Sequence, residues 1–322
     1  MRRIVLVIGI LCGFAAVAAA EDCEQILPFN ALDQKTGNIV ASLRPELLQA
    51  RLGGLAVRIT GIAPVERRRV LVLVDKSGSM APKNGVGSHQ KETLEVTENT
   101  LTELLKELPH GVSVAYGFFN DKTVFTEGFF RDPKELQQAV AATREKLPKP
   151  DQGGTALFDA LHQAILRFET PQPGDVIVLL SDGGENRSRL TEREFEKEMR
   201  RSGVRLALLF LNQHSTDYAE PFVQTIISLA EDTGGAISSL DISDRSWANK
   251  KEVAANREAI RKFWTTEVLG GYTLQVQVPG SLKKPRKWKV QANVEGDPRL
   301  KHGTLQYPEK LNPCPVNTVA AH

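Results

Sequence analysis

Three largely apolar runs, at residues 69–74, 176–180 and 204–211, interrupted only by Arg69 and Arg205, most constrain what this chain can fold into. None alternates apolar with polar residues, so each suits a strand covered on both faces, as in a parallel sheet. Segments with helical spacing separate them. Residues 88–108 place Leu94, Leu101, Leu104, Leu105 and Leu108 at helical intervals. Asp132-Pro133 opens another helix, with proline where a missing N–H costs nothing, and residues 156–168 and 219–231 give two more. Thr191 and Glu194 form a capping box for a helix that Gly203 ends. Residues 112–119 and 123–127 read as two strands turning at Asn120-Asp121. Buried strands alternating with helices predict an α/β fold, a doubly wound and mostly parallel sheet.

The flanks read differently. Residues 24–66 hold short apolar runs around 38–41 and 55–62, split by turn chemistry such as Lys35-Thr36-Gly37. Near the other end Tyr272, Leu274, Val276 and Val278 alternate with polar residues, as do Trp288, Val290 and Val294. Pro279-Gly280-Ser281 between the two runs predicts a hairpin. Both flanks are β-like, so a small β domain built from both chain ends is expected. The boundaries read as a signal peptide over 1–20, an N-terminal β segment over 21–66 and an α/β domain over 67–242. A linking helix over 243–269 then leads to a C-terminal β segment, 270–322, which packs with 21–66.

The 322 residues are 41% hydrophobic and 25% charged, a globular mix that suits about two domains. Met1-Arg2-Arg3, an apolar stretch from Ile4 to Phe14 and Ala18-Ala19-Ala20 form the pattern of a secretory signal peptide cleaved after Ala20. The formal net charge of +2 falls to zero without Arg2 and Arg3. That balance excludes a nucleic-acid binder dominated by phosphate contacts. It also excludes an acidic disordered tail. No internal apolar run is long enough to span a membrane. Cleavage removes Cys12 and leaves Cys23 and Cys314, an even pair that reads as one disulfide in an exported chain.

The chemistry concentrates in three loops. Asp75-Lys76-Ser77-Gly78-Ser79 follows the first apolar run, Gly153-Gly154-Thr155 precedes a helix, and Asp182-Gly183-Gly184 follows the second run. In an open α/β sheet such loops converge on one crevice at the carboxyl ends of the strands. They would deliver two carboxylates and three hydroxyls, all hard oxygen donors, which suits Mg²⁺, Mn²⁺ or Ca²⁺. In an extended loop Asp75, Ser77 and Ser79 would point the same way, with Gly78 letting the backbone bend around an ion. With few protein charges around it, the cation would stay open to another carboxylate. Asp159 and Glu185 lie nearby, where they would assist the outer shell of the ion or, more often for such residues, serve helix termini or solvation.

These stretches resemble the von Willebrand factor A-type domain with its metal-ion-dependent adhesion site. The matching residues are 70–80 (VLVLVDKSGSM), 153–160 (GGTALFDA) and 176–186 (VIVLLSDGGEN), and the likeness spans about residues 67–242. More narrowly, Arg67-Arg68-Arg69-Val70 and residues 182–188 (DGGENRS) resemble the exported bacterial VWFA-related family, in which short β segments flank the A domain. The resemblance implies that Ser77 and Ser79 bind the metal through their hydroxyls. Thr155 would bind directly or through water, and Asp75 and Asp182 would hold coordinated waters and orient the serines. Mg²⁺ is the implied cation, with Mn²⁺ or Ca²⁺ as alternatives, and a partner's Glu or Asp would complete its shell. Lys76 replaces the small residue of integrin-type sites and is expected to point to solvent.

The reading is an exported, non-enzymatic adhesion or scaffold protein with an acidic protein partner and no nucleic acid. An envelope-assembly or regulatory subunit is the alternative, and a metal-assisted hydrolase a third reading. No G-x-x-x-x-G-K-[ST], G-x-S-x-G or H-E-x-x-H motif occurs, and the six histidines are scattered. The basic cluster Lys283, Lys284, Arg286, Lys287 and Lys289 reads as a solvated sheet face, since Trp288 and Val290 alternate with Lys287 and Lys289.

Overall fold

The apolar stretch of the 69–74 run, Val70 to Val74, becomes the middle of a strand sealed on both faces. The computed structural model describes residues 21–33, 35–78, 80, 99–106, 108–148, 154–212, 221–241 and 250–314. The expected signal peptide, most of the helix expected at 88–108 and the start of the linking helix lie outside these residues.

In chain order, the strands before the central sheet are β1 (Cys23–Leu32), β2 (Leu48–Leu52) and β3 (Leu55–Pro64). The central sheet holds β4 (Arg68–Asp75), β5 (Val112–Phe119), β6 (Thr123–Phe125), β7 (Val176–Ser181), β8 (Arg205–Asn212) and β9 (Ile237–Asp241). Its spatial order is β6-β5-β4-β7-β8-β9, with every ladder parallel except that of the edge strand β6. The predicted α/β class and mostly parallel sheet are therefore present. Strand β9, Ile-Ser-Ser-Leu-Asp, went unforeseen because it is mostly polar.

Alternate residues of β4 feed two separate cores. Val70, Val72 and Val74 pack with Val114, Phe118, Leu209 and Trp264 on one face. Leu71 and Leu73 pack with Leu161, Phe168, Phe195 and Phe210 on the other. Helices α1 (Pro133–Lys146), α2 (Leu157–Leu166), α3 (Glu192–Ser202), α4 (Pro221–Asp232) and α5 (Lys250–Lys262) contribute to these layers, and a π-helical turn, Phe263–Val268, extends α5. The helix ends follow local chemistry. The Asp132 side chain accepts from the amides of Lys134 and Glu135, and Thr191 and Glu194 form the reciprocal box. Gly203 closes α3 at φ 73°, a backbone region that glycine enters without steric cost.

The chain ends form a second, antiparallel sheet. It joins β10 (Tyr272–Val278), β12 (Lys289–Ala292) and β13 (Thr304–Gln306) to the first three strands, in the order β12-β2-β3-β10-β1-β13. A short ribbon pairs β11 (Arg286–Lys287) with β14 (Lys310–Leu311). The expected hairpin is not formed. Strand β10 is flanked by β1 and β3, so both of its ladders are filled and the chain after Pro279-Gly280-Ser281 crosses to pair with β2. Val294, expected to face inward, is instead exposed. Trp288 is buried between exposed Lys287 and Lys289, as the alternation required, and Lys287 pairs with Glu309.

Buried arginines tie the central sheet to the turn that leads into β10. Arg68 donates to the Val268 carbonyl at 2.8 Å, and Arg205 donates to the Glu267 and Val268 carbonyls at 2.9 and 3.1 Å. These are last-turn carbonyls, which lack helical partners and favour cations. Burial pushes Arg68 down to about 8, helped by the neighbouring charge of Arg205. Burial pushes Arg205 itself to about 10.

Cys23 and Cys314 are bonded, with Cα atoms 5.7 Å apart and a sequence separation of 291. Thiol alkylation before reduction should label neither cysteine. Cys23→Ser with Cys314→Ser should lower unfolding free energy by about 5–6 kcal/mol in the loop-closure model, read by urea denaturation. Leu73→Ala, at a site with no exposed surface, should cost about 2–5 kcal/mol in the same measurement.

Candidate metal centre

Strand β4 ends by burying a carboxylate. Asp75 is fully buried; its Oδ1 accepts from the Ser77 amide at 2.8 Å and its Oδ2 from the Ser181 hydroxyl at 2.6 Å. The second contact follows from register, because Val74 lies beside Leu180 in the β4–β7 ladder and the next residues are Asp75 and Ser181. The Ser181 oxygen in turn accepts from the Gly183 amide at 2.9 Å. Ser77 is buried, and its carbonyl accepts from the Met80 amide at 3.1 Å, so the chain turns here. That turn corrects the extended loop expected from the D-x-S-x-S spacing. Ser79 and Gly153 lie outside the described residues.

The loop after β7 is shaped by glycine and by its own acids. Gly183 has φ +84°, and a Cβ there would stand 2.7 Å from Val223 and 3.1 Å from Phe210. The Asp182 carboxylate, half-buried, accepts from the Gly184 amide at 3.1 Å. Glu185 accepts from the amides of Phe158, Arg187 and Ser188 and from the Ser188 hydroxyl. Asp159 accepts from the amides of Arg189 and Leu190. Both acids therefore hold the loop against the start of α2 rather than reach toward an ion.

Thr155, buried at the entry to α2, is clasped by the same loop. Its amide donates to Asn186 Oδ1 at 2.9 Å, and its carbonyl accepts from the amides of Asn186 and Arg187 at 3.0 Å each. The Ala156 amide adds a bond to the Asn120 carbonyl at 2.8 Å, which ties this loop to the end of β5. Asp75, Ser77, Thr155 and Asp182 thus all lie on loops at the carboxyl edge of the central sheet, and those loops are bonded to one another. Ser181 and Asn186 do much of this positioning and were not singled out from the sequence. Their signal is the register of β4 on β7, which no single-chain pattern carries. Lys76 is half-buried, with its ammonium 6.0 Å from the Phe118 ring centroid, rather than directed into solvent.

The electrostatics of the site are unbalanced. Burial pushes the Asp75 carboxyl up to about 7 and the nearby Asp182 charge pushes the same way, against hydrogen bonds from Ser181 and Ser77. Among the described residues, no lysine or arginine forms an ion pair with either carboxylate. A buried acid without a basic partner, beside a second acid, fits a cation, which would supply the compensating charge. Among the described residues, no group of three or more His, Cys, Asp or Glu side chains could hold a metal. The candidate donors are hydroxyls as well as carboxylates, all of them hard oxygens.

The family model of the von Willebrand factor type A domain matches residues 70–185, from the first residues of the buried run to the loop after β7. The chain carries a von Willebrand factor A-type domain. Solved structures similar to the chain include BatB from Bacteroides thetaiotaomicron, at 18% identity and TM-score 0.43, covering 62% of this chain and 100% of that one. Proximal thread matrix protein 1 from the mussel byssus, solved with a zinc-occupied MIDAS motif, is 15% identical with TM-score 0.44, covering 66% of this chain and 49% of that one. A von Willebrand factor type A protein from Catenulispora acidiphila is 13% identical with TM-score 0.45, covering 92% of this chain and 74% of that one. No curated protein matches the chain.

Within the A-type domain, Glu185 is the common acceptor of four donors from the loop and from α2. Glu185→Ala should cost about 1.5–3 kcal/mol, the range for hydrogen bonds to a charged group. Hydrogen exchange should then rise at the amides of Phe158, Arg187 and Ser188 while the amides of β4 stay protected.

Proposed function

We propose that the chain is an exported protein-binding module that captures an acidic group of a partner through a divalent cation. The uncompensated burial of Asp75 beside Asp182 and the Ser77 hydroxyl, with Thr155 buried on a loop at the same edge of the sheet, carries this reading. Asp75, Ser77, Thr155 and Asp182, with Ser79 from the sequence motif, would hold the cation. Bound there, the cation would supply an electrophilic point for a Glu or Asp of the partner. Mg²⁺ is the favoured ion, since every donor is a hard oxygen.

The part of the chain's own residues is to hold the site ready. Ser77 and Ser181 fix both oxygens of Asp75, and Asn186 fixes Thr155. We read the centre as one of binding rather than catalysis, because Asp75 is held by donors instead of standing free as a base. Export is supported by the signal-like first 20 residues and by a disulfide, a bond that persists in oxidising compartments. Among the described residues no helix is long and apolar enough to cross a membrane. Adhesion or scaffolding is the activity this arrangement serves best.

Metal binding is tested by linkage. Saturating Mg²⁺ or Mn²⁺ should raise the thermal midpoint, by about 2.7 kcal/mol of stabilisation at a hundredfold excess over Kd, and EDTA should reverse it. Asp75→Ala should abolish the response. An unchanged midpoint in wild-type protein at millimolar metal would refute the reading.

A further inference from the structure

We propose that Arg187 is the second anchor for the acidic ligand, so that the centre selects two adjacent carboxylates over one. This rests on the metal-dependent reading above and names the partner chemistry of the same site. The main chain of Arg187 is fixed beside the centre. Its amide donates to the Thr155 carbonyl at 3.0 Å and to Glu185 Oε1 at 2.9 Å. The side chain then lies along Gly154, where a Cβ would stand 2.9 Å from Arg187 Cγ and 3.3 Å from Arg187 Nε.

Gly154 is not among the glycines with positive φ, so its backbone conformation does not call for glycine. Close approach of the arginine does. The guanidinium seated there has no acceptor among the described residues, although residue 187 is exposed and Asp121 lies across the same glycine with its Cβ at 3.2 Å from that position. By contrast, Arg69 pairs with Asp175, Arg200 with Asp232 and Arg299 with Asp297.

An unpaired planar fork whose side chain lies against Gly154, the chain neighbour of Thr155, is suited to a carboxylate, which it can hold through two parallel hydrogen bonds. A ligand with a single carboxylate can satisfy the cation and leaves the fork unmatched. Two neighbouring acids in an extended partner segment, such as Asp-Asp, can satisfy both. The preferred ligand is therefore an adjacent acidic pair.

Three immobilised peptides would test this against the full chain in Mg²⁺: one with a single Asp, one with Asp-Asp, and one with two Asp separated by six residues. The third matches the pair in charge. Wild-type protein should bind Asp-Asp about three- to tenfold more tightly than either other peptide, the scale of one exposed but well-formed ion pair. Arg187→Ala should remove that preference while keeping the Mg²⁺-induced rise in thermal midpoint. Gly154→Ala, which displaces the arginine from its seat, should weaken the preference in the same direction. Equal binding of the adjacent and separated pairs by wild-type protein, or an unchanged preference in Arg187→Ala, would overturn the role of Arg187 alone. Binding insensitive to EDTA, with no midpoint response to Mg²⁺, would overturn the metal reading and this one together.

Discussion

The structure depends on the burial of β4 on both faces and along both edges. Its valines seal one core and its leucines the other, while β5 and β7 fill its ladders. A strand so enclosed can end only where the sheet ends, and there the chain must place a polar residue out of bulk water. Asp75 is that residue. Its carboxylate is costly to bury, and the hydrogen bonds from Ser77 and Ser181 offset only part of the cost. The candidate site is therefore a direct product of how the core is built.

The second sheet fastens the A-type domain at the opposite ends of the strands. Arg68 and Arg205 enter from β4 and β8 and hold the carbonyls that end the π-helical turn. Asp232, at the end of α4, receives Arg200 from α3 at 2.5 Å and Lys310 from β14 at 3.3 Å. The Cys23–Cys314 bond then closes the terminal sheet across nearly the whole chain. Arg68 and Arg205 thus act at the ends of β4 and β8 opposite the loops of the candidate centre.

Much of the central sheet was legible in the sequence because burial on both faces leaves largely apolar runs. Helix ends were legible for a similar reason: Asp132, Thr191 with Glu194, and Gly203 act locally, through bonds to amides a few residues away. The hairpin after β10 was misread because alternation shows which face of a strand is buried and not which strand lies beside it. Strand β10 takes its neighbours from β1 and β3, more than two hundred residues earlier. Strand β9 left no apolar run because only part of it is covered.

For the site, the sequence by itself determined the donor chemistry: two aspartates and a set of hydroxyls on loops that a parallel sheet must bring to one edge. It also pointed to Cys23 and Cys314 as a pair, and these two are bonded in the structure. Tertiary structure decided how the loops are held. The register of β4 on β7 sets Ser181 against Asp75, and the loop after β7 folds back so that Asn186 clasps Thr155. It also decided the seat of Arg187 on Gly154, a contact between residues 33 apart. Donor identity is a property of single residues and survives in a linear string. Orientation and unpaired charge arise only when distant segments are packed together.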